Sequence, residues 1–182
     1  AETASVFSEM LTFHTILNAE TSEQSKRLML ADKIEDMLNT VVRQVAFHNF
    51  EYLVHTHRRQ GELSSNEISK FWVETQKQAL GPGIRIDDSF KPIWAYVPHF
   101  VHSPFYVYAY AFGDCLVNAL WQVYQDGSDA DFNIHYKTLL RSGGTLRFDQ
   151  ALIPFSLNPS EPEFWNKGLD MISTMVDQLE GL

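Results

Sequence analysis

Residues 23–59 read EQSKRLMLADKIEDMLNTVVRQVAFHNFEYLVHTHRR and contain neither glycine nor proline. A stretch this long without a helix breaker has room for one helix or two nearly continuous ones, spanning roughly 50 Å at about 1.5 Å per residue. Its apolar residues recur at helical spacing. Ile34, Met37, Leu38, Val41, Val45 and Leu53 mark one face, and Leu30, Val42, Phe47, Phe50 and Val54 widen it until most of the helix must be covered. The stretch predicts an all-α protein built on a central scaffold helix.

The flanking sequence extends the pattern. Val6, Met10, Phe13 and Leu17 lie along one face of an opening helix, which Thr21 and Ser22 interrupt. That helix has no capping residue ahead of it and the chain has no initiating Met, as expected of a portion of something longer. Beyond the turn at Gln60, Gly61 and Glu62, either Ser64 or Ser65 followed by Glu67 starts a helix ending at Leu80, which the Gly-Pro-Gly of 81–83 stops. Pro92 and Pro98 break any helix between 84 and 101, where IWAYV at 93–97 reads as at most a short extended or hairpin segment. Ser103 and Pro104 are a cap and first position for a helix over 104 to 125, and further helices are expected over 130–141, near Phe148, and over 162–179 behind a Ser160 cap. The total is six or seven helices in a single helical domain over 1–182.

Composition narrows the function classes. The formal net charge of −9, with no basic run to reverse it locally, argues against nucleic acid as a partner. The single Cys115 excludes an internal disulfide and lies on an apolar stripe, which fits a buried thiol in a reducing compartment. No apolar run reaches the length of a membrane span and no charged-then-apolar leader opens the sequence, so the expectation is a cytoplasmic protein with no membrane partner.

The stretch 99–110, HFVHSPFYVYAY, carries the most chemistry. A helix starting at Ser103 and Pro104 would put Tyr106 and Tyr110 on one face, with Gly113 continuing their row. It would send Phe105, Tyr108, Phe112, Cys115, Leu116, Ala119 and Val123 into the core. Such an aromatic row is more often packing than chemistry. Likewise, His99 and His102 are either loop histidines bonded to backbone or parts of a site. None of the seven histidines has another four positions away, so the His-Glu-x-x-His of helical zinc hydrolases is absent, as are Gly-x-Ser-x-Gly and the phosphate-loop pattern. His55 and His57 point about 200° apart on a helix and read as surface. Glu2 and Glu9, two helical turns apart, share a face of the opening helix whose default reading is a solvated charged surface.

Three segments, AETASVFSEM at 1–10, KIEDMLNTVVRQVAFHNFEYLVH at 33–55 and WAYVPHFVHSPFYVYAYAFGD at 94–114, resemble the oligoendopeptidase F branch of the thimet-oligopeptidase-like zinc metallopeptidases, and the resemblance covers essentially the whole chain. It implies the C-terminal portion of a catalytic domain whose His-Glu-x-x-His half would precede Ala1. By resemblance Glu2 matches the third zinc ligand and Glu9 a carboxylate that orients a ligating imidazole. His99, Tyr110 and Tyr106 match donors to the scissile carbonyl oxygen, with Tyr108 or His102 as substitutes. The implied cofactor is zinc and the implied substrates are short peptides. Without its upstream half the chain alone is expected to be inactive and to self-associate through apolar helix faces. The alternative is a non-catalytic helical protein-interaction module.

Overall fold

The breaker-free stretch forms two helices, α2 (Glu23–Thr40) and α3 (Val42–Arg58), joined at Val41. Val41 stays near helical geometry (φ −95°, ψ −66°) and its carbonyl accepts Val45 N–H at 3.0 Å, so the joint is slight, as expected where no Gly or Pro stands. The computed structural model describes residues 3–182, and no strand occurs among them. The remaining helices are α1 (Thr3–Ala19), α4 (Ser65–Leu80), α5 (His99–His102), α6 (Tyr108–Asp126), α7 (Phe132–Ser142), α8 (Phe148–Leu152) and α9 (Pro162–Gly181). Nine helices among the described residues exceed the six or seven expected, because the long stretch divides and α5 is a separate single turn.

The chain forms two compact units, one comprising the residues up to Met37 with Gly113–Leu182, the other Leu38–Phe112. In the first, Phe7 packs its ring against Trp121, Phe132 and Tyr136 at centroid distances of 5.8, 5.7 and 4.6 Å. Met10, Cys115, Leu120, Phe164 and Met175 are buried with it. The inward face of α1 thus centres on Phe7 and Met10, while Val6, Phe13 and Leu17 are only half-buried. In the second unit, Phe47, Phe50, Trp72, Val97 and Val107 make the core, with Phe100 and Trp94 packed against them. Leu38 and Val45, expected in the core, are exposed: the buried stripe of α3 runs instead through Ala46, Phe47 and Phe50.

Three local expectations need correction. The segment expected to be extended at 93–97 is a 3₁₀ turn, Ile93–Tyr96, closed by Ala95 N–H to Pro92 O (3.0 Å) and Val97 N–H to Trp94 O (3.2 Å). Pro92 itself sits near ψ −2°, so the chain coils at once instead of extending, and the Trp94 indole N–H ties the turn to Ser69 Oγ at 3.1 Å. The helix expected from 104 starts at Tyr108, because Phe105 adopts a left-handed backbone (φ 59°) that no helix contains. Phe105 and Tyr108, expected in the core, are therefore exposed, whereas Cys115, Leu116, Ala119 and Val123 are buried as the stripe requires. Finally, Glu161 holds the N-cap position of α9, and Ser160 gives its N–H to Asn158 Oδ1 at 3.1 Å instead of capping.

Candidate functional site

The candidate residues of the second unit sit on a run of short elements between two buried plugs, Val97 and Val107. From Pro98, α5 makes one turn: His102 N–H bonds Pro98 O at 2.9 Å and Ser103 N–H bonds His99 O at 3.0 Å. Within that turn Phe100 packs against Phe50 (4.9 Å) and Phe47 (5.4 Å), and its neighbour His99 is half-buried. The backbone then turns left-handed at Phe105, φ 59°. Tyr106 N–H bonds Ser103 O at 3.2 Å, and Tyr106 O in turn accepts Ala109 N–H at 2.9 Å, starting α6.

This backbone brings three rings together. His99 Nε2 lies 3.1 Å from the Tyr110 phenol oxygen. The Tyr106 ring stacks on His99 at 6.1 Å with planes 7° apart, and meets Tyr110 edge-on at 5.6 Å. The reason for Tyr106 differs from the sequence expectation: it stands in the loop ahead of α6, so its meeting with Tyr110 does not follow from helical spacing. In this chain Tyr106 is 52% exposed and Tyr110 37%. Tyr108 turns away, its ring 5.9 Å from His48, and His102 is exposed outside the three-ring group. Nothing lies within 4 Å of where a Cβ on Gly113 would stand.

One polar residue of this region escapes sequence reasoning. Glu51 on α3 is 1% exposed, and its Oε1 accepts the Phe105 N–H at 2.8 Å. The available signal is its position, one helical turn beyond Phe47 and one before Val54, on an apolar face where a charge must find a donor. The sequence predicts His55 and His57 at the surface. His55 is exposed with Phe105 at 4.7 Å, while half-buried His57 bonds Leu53 O through Nδ1 at 2.8 Å.

Glu2 lies outside the described residues. In the first unit, Glu9 pairs through Oε1 with Nζ of Lys33, a lysine whose side chain is 9% exposed. Among the described residues no three His, Cys, Asp or Glu side chains come together in a way that could hold a metal. The described residues therefore do not amount to a zinc site, and what the three-ring group offers is hydrogen bonding from an imidazole and two phenols. No described helix is long and apolar enough to cross a membrane.

Comparison with known proteins agrees with the fold. The chain is 29% identical over its whole length to oligopeptidase PepF of Bacillus subtilis, covering 27% of that protein. It is 30% identical over 80% of its length to an oligoendopeptidase F homolog of Borreliella burgdorferi, covering 24% of that one. The chain thus spans about a quarter of the length of these relatives. The crystal structure of oligoendopeptidase-F from Enterococcus faecium superposes with a TM-score of 0.89 at 22% identity, over 99% of this chain and 34% of that one, which establishes the shared fold. The model of peptidase family M3 matches residues 1–171, and the chain belongs to that family.

Proposed function

We propose that this chain is the C-terminal part of the catalytic domain of a cytoplasmic, zinc-dependent oligoendopeptidase that hydrolyses short peptides. The observation that carries the reading is the 3.1 Å contact of His99 Nε2 with the Tyr110 phenol, in a family of peptidases. In peptide hydrolysis the scissile carbonyl oxygen gains negative charge as its carbon becomes tetrahedral, and neutral donors aimed at that oxygen stabilise the transition state more than the substrate. With its hydrogen on Nε2, His99 donates to the Tyr110 oxygen, which leaves the phenol O–H free to donate onward. The imidazole polarises the phenol and strengthens that second bond. Tyr106, stacked on His99, holds the imidazole plane and offers a further O–H.

In this reading zinc is held by ligands outside the described residues, Glu2 among them, and Glu9 steadies one of those ligands. The domain extends over 1–182 and is completed by an upstream half. Exposed apolar side chains such as Leu28 and Ile153 are then the basis for self-association of this chain alone.

The test is a quenched fluorescent peptide assay on the gene product that carries this chain, run beside the chain alone. Cleavage by the former, abolished by a chelator and restored by zinc, with neither cleavage nor stoichiometric zinc in the latter, is the expected result. A gene product that cleaves no peptide overturns the reading in favour of a helical interaction module.

A further inference from the structure

We propose that Glu51 is a positioning residue whose carboxylate fixes the left-handed turn at Phe105 and so sets the Tyr106 and Tyr110 phenols against His99. The catalytic consequence rests on the function proposed above; the anchoring itself does not.

A carboxylate buried to 1% exposure is costly unless donors or a cation compensate it, and among the described residues no ion pair includes Glu51. Its compensation comes from 54 positions along the chain, the Phe105 N–H at 2.8 Å from Oε1, while Oε2 is buried without a hydrogen bond. A hydrogen bond made away from water, where nothing competes for the donor, is a firm tie whose loss leaves a buried polar group unpaired. The donor is also the residue that needs holding. Phe105 has φ 59°, a conformation that disfavours a bulky side chain, so the loop would relax if nothing pinned it. Immediately beyond it, Tyr106 carries the ring stacked on His99, and buried Val107 fixes the start of α6. Release of Phe105 therefore moves Tyr106 first and Tyr110 by way of Val107. Phe105 N–H is the only link of this kind that α3 makes to the loop among the described hydrogen bonds.

The role predicts a contrast between two substitutions. Glu51→Gln keeps an oxygen acceptor of nearly the same shape, whereas Glu51→Ala removes it. Amide exchange and ¹⁵N chemical shifts of the His99 ring, measured by NMR on the gene product that carries this chain, read the anchor directly. Expected is a Phe105 amide that exchanges about tenfold faster or more in Glu51→Ala, with a moved His99 Nε2 resonance, and near-native values for both in Glu51→Gln. In the peptidase that carries this chain, Glu51→Ala lowers kcat about tenfold at nearly unchanged KM, counted per folded enzyme, and Glu51→Gln restores most of it. An unchanged Phe105 amide and His99 resonance in Glu51→Ala overturn the inference. Where Glu51→Ala does not fold, Glu51→Gln decides: a His99 resonance and kcat as wild type support anchoring by an acceptor oxygen, and loss of both refutes it. A shifted His99 resonance with kcat intact leaves the anchor standing and removes the proposed role of the three rings in catalysis.

Discussion

The two units solve opposite problems. Residues up to Met37 with Gly113–Leu182 bury rings and thiol between regular helices, so that Phe7, Trp121, Phe132 and Tyr136 interlock and backbone approaches backbone at Gly168 and Cys115. Leu38–Phe112 buries its own aromatic core but gathers half-buried His99 from the single turn α5, exposed Tyr106 from the loop and exposed Tyr110 from the start of α6. Each unit also has a carboxyl group drawn out of water, fully buried at Glu51 and half-buried at Asp114. Glu51 in the second has a backbone N–H to bond, whereas Asp114 in the first has a neutral amide, Asn118 Nδ2, at 3.0 Å. Both units have aromatic cores and directed bonds, but the first is most sensitive to volume where α9 meets Cys115, and the loop of the second to one bond from far along the chain. The two should fail in different ways.

The largest effect expected is on turnover. In the peptidase carrying this chain, Tyr110→Phe and His99→Ala should each lower kcat by about 10²-fold or more with little change in KM, while Tyr108→Phe, whose ring faces His48, stays near wild type. Stopped-flow or steady-state assays with normal metal content would check this. A damaging Tyr108→Phe beside a silent Tyr110→Phe would move the site to Tyr108 and leave the directed His99 contact without function.

How far the sequence reaches follows the same division. Where local chemistry decides, it is legible: Ser64 caps α4 with the Glu67 N–H at 3.3 Å to Ser64 Oγ and Glu67 Oε2 reaching back to Ser64 N–H at 2.8 Å, and Gly81 ends the helix at φ 66°. The long α2 and α3 pair, α8 at Phe148 and the stop at Gly143 are read from the same kinds of signal. The loop is different. Nothing local in HSPFYVY announces a left-handed phenylalanine, since Ser-Pro is a sound helix start and the bond that holds Phe105 comes from Glu51, far away in sequence. His99, Tyr106 and Tyr110 are named from resemblance and helical facing together, and the facing argument fails for Tyr106 although the rings do meet. Helical propensity is overruled there by a tertiary bond.

The first unit should respond to a single methyl. A Cβ on Gly168 of α9 would meet Cys115 Cα and Cβ at 3.1 Å and its carbonyl oxygen at 3.2 Å, so one helix must shift slightly to admit it. Gly168→Ala should therefore destabilise this chain by about 2–3 kcal/mol in urea unfolding. Gly113→Ala, on α6 with nothing within 4 Å, should be neutral or gain about 0.5–1 kcal/mol from helix propensity. Equal effects from the two would mean that α9 yields to the methyl and that close packing is not what fixes this unit.

The smallest expected effect concerns the carboxyl group of that unit. Burial pushes Asp114 up from 3.8 to about 6, against the Asn118 hydrogen bond and the charge of Lys33, which favour ionisation; Glu9 adds to the rise. A carboxyl raised in the folded state binds more protons there than in the unfolded chain, so its contribution to stability is fully present below 3.8 and is lost as pH rises through about 6. At neutral pH the ionised, poorly compensated Asp114 is thus a burden. Asp114→Asn keeps an oxygen for Asn118 Nδ2 and removes the charge, at the expense of the attraction to Lys33. It should leave stability unchanged near pH 3.5 and raise it by about 1–2 kcal/mol near pH 8, in urea midpoints measured at both. If Asp114→Asn instead weakened the chain at high pH, the attraction to Lys33 would outweigh the cost of burial, and Lys33 would serve Asp114 as well as Glu9.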